Sequence, residues 1–137
     1  MKSYPKCRVA IAATVLMFTS SARADEASYS TVVKERDSVL SEILAVRESR
    51  RSTGTADEES IAAAQLTLYS FRRDVATATS EKIKNQELIV RIFEKKLESV
   101  EVMTKAGLGG KIAILEAKAP LLEARQRLEE LRLKGKA

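Results

Sequence analysis

The stretch Ala106–Leu131, AGLGGKIAILEAKAPLLEARQRLEEL, decides how this chain folds. Ile114, Ala117, Leu121, Ala124, Leu128 and Leu131 recur at alternating steps of three and four. That is the a/d spacing of a helix made to supercoil against a partner. Small alanines alternate with large aliphatics, so a neighbouring helix approaches closely at every second layer. Just upstream, Val90, Phe93, Leu97 and Val100 repeat the same steps. Between the two seams stands Gly107, free to take the left-handed conformation that ends a helix, with Leu108 placed to fold back onto the last turn. The spacing predicts a helical hairpin turning at Gly107.

Working outward, Tyr29, Val32, Arg36, Val39, Ile43 and Val46 mark a helix over about 27–50, which the hydroxyl-rich SRRSTGT of Ser49–Thr55 ends. Thr55 and Glu58 fit a capping box, in which each side chain serves the other's backbone N–H. A long helix over about 57–105 is predicted next. Its first seam, Ile61, Ala64, Leu68, Phe71, Val75 and Ala78, is followed by a second, Ile83, Val90, Phe93, Leu97 and Val100, displaced by one residue. The displacement rotates the apolar stripe, and weak helix formers at Thr77–Ser80 suit a bend there. The last helix spans about 111–134, where Pro120 costs about 3 kcal/mol in a helix interior and predicts a kink or a firm start at that residue. Glu87–Arg91, Glu101–Lys105, Glu123–Arg127 and Glu130–Lys134 are spaced as favourable pairs along helix surfaces. The resulting fold class is all-α: elongated antiparallel coiled-coil hairpins of three helices, the first and last lying along the two halves of the long one.

Residues 1–24 read as a secretory signal peptide, with Lys2, Lys6 and Arg8 before the apolar Val9–Phe18 and Ala22-Arg23-Ala24 as the cleavage site. That run is about half the roughly 20 residues that span a bilayer, and no later run is longer. The helical domain is then 25–137. The whole chain carries 24 Lys+Arg against 19 Asp+Glu. Removing Lys2, Lys6, Arg8 and Arg23 leaves 20 against 19. The basic pI is therefore no warrant for a nucleic-acid partner, and Arg50-Arg51 and Arg72-Arg73 read as solvated helix surface. The single cysteine, Cys7, precedes the apolar run, so the mature chain is expected to have no disulfide and no lipid anchor at cysteine. With no histidine and no tryptophan in the chain, and no glycine-rich phosphate loop, no catalytic, cofactor or metal site is predicted. The expectation is a non-enzyme.

Ala106-Gly107, Ile114-Leu115-Glu116-Ala117, Leu121-Leu122-Glu123-Ala124-Arg125 and Leu128 resemble the helix-end glycine and Leu/Ala ladder of the TolC family of outer-membrane efflux channels. The resemblance covers Leu88 to Arg132. It implies that Gly107 ends one periplasmic helix and that Leu115, Ala117, Leu121, Ala124 and Leu128 form the packing ladder of the next. Thr104, Ala113 and Pro120 depart from the family pattern, and the mature length does not supply a full channel protomer. Adaptors of the HlyD type carry similar ladders. Seam and leader together predict a periplasmic protein, with outer-membrane association as the resemblance implies. It would act by self-association or within an efflux-type envelope complex, its seam Val90, Phe93, Leu97, Val100, Ile114, Ala117, Leu121, Ala124, Leu128 and Leu131 carrying the packing. The alternative is a periplasmic holdase for unfolded proteins, for which Gln65-Leu66-Thr67 is the nearest motif fragment.

Overall fold

The computed structural model describes residues 18–55 and 57–136, with side chains from 25 onward. The basic start, the apolar run and Cys7 of the expected leader lie outside the described residues, apart from Phe18. Among the described residues every regular element is a helix, with no strand: α1 (Phe18–Ser52), α2 (Glu58–Val75), α3 (Thr79–Lys105) and α4 (Lys111–Lys134). Two compact units divide within α1, the first ending at Glu35 and the second beginning at Arg36. In the first, Tyr29 and Val32 are exposed on α1. The second holds every buried side chain described below.

Four helices replace the expected three, because the long helix over 57–105 does not form. α2 stops at Val75, Ala76 and Ala78 are extended (ψ 134° and 131°), and α3 starts at Thr79. The cause is a second apolar face on each half. Leu66 and Tyr69 of α2 pack on the cluster that holds Ile89 of α3, a contact that a straight helix could not make and would leave in water. The Ala-Thr-Ala-Thr run offers little resistance to the break. The backbone N–H of Ala76 closes α2 on Arg72 O, while α3 opens with no side-chain cap.

Contacts between successive helices follow one rule. Arg72 meets Asp37 and Arg47 meets Ser60; Lys96 meets Glu59 and Arg73 meets Gln86; Arg132 meets Glu87 and Arg125 meets Glu94. In each pair of helices residue numbers rise along one as they fall along the other. Two apolar clusters result. Leu44, Ile61, Ala64 and Leu68 join α1 to α2, with Leu40 against them. Ile89, Val90, Leu121, Ala124 and Leu128 join α3 to α4, and Tyr69 touches both clusters.

Several local expectations are corrected. Asp57, not Thr55, caps α2, its carboxylate accepting the N–H of Ser60 at 2.5 Å, while the Thr55 hydroxyl turns back to Arg50 O. α1 begins before 27, whereas α4 runs over the expected span, Lys111–Lys134, with Pro120 inside it. Proline loses the bond to the carbonyl four residues earlier and crowds it, here the carbonyl of the exposed Glu116. Among the described residues none of the four expected pairs along a helix forms an ion pair. Glu87 reaches across to Arg132 instead, where one contact ties two helices. Gly107 does end α3, with φ of 80°. Its N–H bonds Thr104 O and that of Leu108 bonds Met103 O, the paired closure of a left-handed helix end. The Leu108 side chain nevertheless points to solvent at 77% exposure.

Candidate interaction surface

Each residue of the sequence-derived seam can now be placed. Val90, Leu121, Ala124 and Leu128 are buried in the α3–α4 cluster, and Phe93 and Leu97 are half-buried against it. Ala117 is buried on the same face of α4. Val100, Ile114 and Leu131 are half-buried. The strongest apolar pattern in the chain is thus consumed inside the molecule.

On α1 the pattern and the packing part company. The second unit's share of the expected seam, Val39, Ile43 and Val46, is 50%, 41% and 42% exposed. α1 reaches α2 through the neighbouring stripe of Leu40 and Leu44. Polar side chains on that stripe explain the preference. Arg72 forks the Asp37 carboxylate with Nε at 2.6 Å and Nη2 at 2.8 Å, and Nη2 also donates to Ser41 Oγ at 3.0 Å. Arg47 donates to the carbonyl of Ser60 at 2.6 Å. Had the outer stripe turned inward, Arg36 would have entered an apolar contact. Its guanidinium instead lies 4.7 Å from the centre of the Phe71 ring, where the ring face attracts it.

The hydrogen bond from Arg72 holds the Asp37 carboxyl below its ordinary range, against the opposing effect of burial. The same bond raises the Arg72 guanidinium. On the other side of α2, Arg73 donates to Gln86 Oε1 at 2.9 Å while Gln86 Nε2 donates to the carbonyl of Ala124 at 2.8 Å. Gln86 is 1% exposed and links α2, α3 and α4. Neither arginine is therefore mere solvated surface, which corrects the reading of Arg72-Arg73. Adjacent residues on a helix point about 100° apart, so one serves α1 and the other α3. Arg50 and Arg51 are exposed as expected, Arg51 pairing with Glu58 at 2.6 Å.

Sequence reasoning passed over Gln86. Its signal was a gap: Ile83, Gln86, Val90, Phe93, Leu97 and Val100 keep the alternation of three and four without a break. A polar residue at such a core position fixes register.

A groove of about 300 Å³ runs along α1, lined by Val39, Glu42, Ile43, Val46, Arg47 and Arg50. Val39, Ile43 and Val46 run along its middle, Glu42 and Arg47 flank them, and Arg50 stands at the end of the row. Among the described residues no cluster of acids could hold a metal ion, and no helix is long and apolar enough to cross a membrane. No protein-family model, curated protein or solved structure matches the chain.

Proposed function

We propose that this is a non-enzymatic, periplasmic protein of antiparallel coiled-coil hairpins that acts by association, first with a second copy of itself through α1 and then within an envelope complex of the efflux type. The observation that carries the reading is the unpartnered stripe Val39, Ile43 and Val46. It keeps coiled-coil spacing although nothing in the second unit covers it. With Ile43 at position a and Val39 and Val46 at d, Glu42 falls at g and Arg47 at e. Those positions pair across the seam of a parallel dimer, and both line the open groove. Arg36 and Arg50 also fall at a positions; Arg36 is held over Phe71 and stays out of the seam, and Arg50 marks the seam's other end. The opposed numbering of contacts within each helix pair supports the hairpin reading. The leader-like start and the ladder resembling that of TolC-family channels support the envelope.

Light scattering on the full chain tests the association. The expected result is a species larger than one chain that the double variant Ile43→Glu, Val46→Glu reduces to a monomer with unchanged helical circular dichroism. A wild-type chain that stays monomeric over a wide concentration range would overturn the proposal. Recovery of envelope transport proteins after cross-linking in intact cells, lost in the same variant, tests the second step.

A further inference from the structure

The connection between α3 and α4 is sparsely charged and basic. From Val102 to Leu115 there is no acid in a protein that is 31% charged, and the only charges are Lys105 and Lys111. Val102, Met103, Leu108, Ile112 and Leu115 are each more than half exposed. Such a group of apolar side chains at one end of a helix pair has no internal use, since α3 and α4 close on each other through other residues. Both lysines are exposed, and among the described residues neither forms an ion pair.

We propose that this tip docks on an anionic lipid bilayer, its apolar side chains entering the headgroup boundary while Lys105 and Lys111 pair with lipid phosphates. Three features fit that occupant. Two cations without an acid match a negatively charged surface, each lysine adding attraction near it. Several polar groups of the turn are bonded internally. Gly107 N–H bonds Thr104 O, Leu108 N–H bonds Met103 O, Ala113 N–H bonds Gly110 O, and the Thr104 hydroxyl bonds Val100 O. Those groups need no water when the tip leaves it. Finally, Glu101 and Glu116, both exposed, bound the patch on the two helices. The acid-free ends between them are four and five residues long, about 6–8 Å at 1.5 Å per residue. That matches the depth of about 5–10 Å to which interfacial segments sink. Gly109 keeps the tip narrow, because a Cβ there would lie 2.9 Å from the Thr104 hydroxyl.

The docking is independent of the α1 stripe and of the leader-like start, and its test reads the tip alone. The chain has no tryptophan, so Leu108→Trp places a single fluorophore at the tip of the full-length protein, and Leu133→Trp places one at an exposed position near the far end of α4. With phosphatidylcholine vesicles containing phosphatidylglycerol, the expected result is blue-shifted emission at 108, quenched by brominated lipid, and no change at 133. Adding Lys105→Gln and Lys111→Gln should weaken the binding about 30-fold. Unshifted emission at 108, or equal shifts at both positions, would overturn the proposal. A concentration-dependent shift at 108 without lipid would also overturn it, by assigning the tip to contact between copies.

Discussion

Helices α3 and α4 close on each other through the residues their spacing marks, Val90 against Leu121, Ala124 and Leu128. α1 meets α2 through Leu40, Leu44 and a set of polar clamps, and leaves its own marked residues outside. Both helix pairs begin from equally regular apolar periodicity. What separates them is the side chain beside the stripe. The marked stripes of α3 and α4 contain no charged residue, whereas α1 has Arg36 in its stripe and leucines next to Asp37, Ser41 and Arg47, each with a partner waiting on α2. Regular spacing therefore announces that a helix has a partner without saying which one.

The contrast breaks most visibly under truncation of core leucines. Leu121, 3% exposed, should cost about 3–4 kcal/mol as Leu121→Ala in urea unfolding. Leu44, 9% exposed beside polar clamps, should cost about 2 kcal/mol as Leu44→Ala. Equal losses would mean that the two interfaces are not distinct in kind. Next in size is Gln86→Leu, which strips the buried partner of Arg73 and should cost about 1–3 kcal/mol. The double variant with Arg73→Met should recover part of that loss, and strict additivity in the same urea series would show that the link across three helices is not coupled. The smallest effect belongs to Asp37→Asn, no more than about 1 kcal/mol near neutrality because the ion pair is about a third exposed. Its signature is pH dependence. Asp37 titrates below its ordinary value of 3.8, so its contribution is present above that value and is lost as pH falls through the lowered folded one. Acid titration of stability should show this component in the wild type and not in the variant.

The α3–α4 pairing was legible because both seams are complete and a glycine turn separates them. The break between α2 and α3 was visible as a slip in phase at Thr77–Ser80, but a one-residue slip fits a rotated stripe as well as a reversal. Leu66, Tyr69 and Ile89 decide for reversal, and their worth depends on having one another as neighbours. The same holds for Arg72 and Arg73, which on a helix surface look like any paired cations until Asp37 and Gln86 are set beside them. The outward turn of Val39, Ile43 and Val46 could not be read at all, since it results from a competition between two stripes of one helix.

Arg72 and Arg73 also constrain how the molecule can yield. Bonded to Asp37 on one side and to Gln86 on the other, α2 resists rolling about its axis, because a rotation that eases one bond stretches the other. Sliding by one turn, about 5.4 Å, would break both at once. α2 is thus the keyed shaft of the second unit, and an adjustment that a docking event demands falls first on the short connection at 76–78.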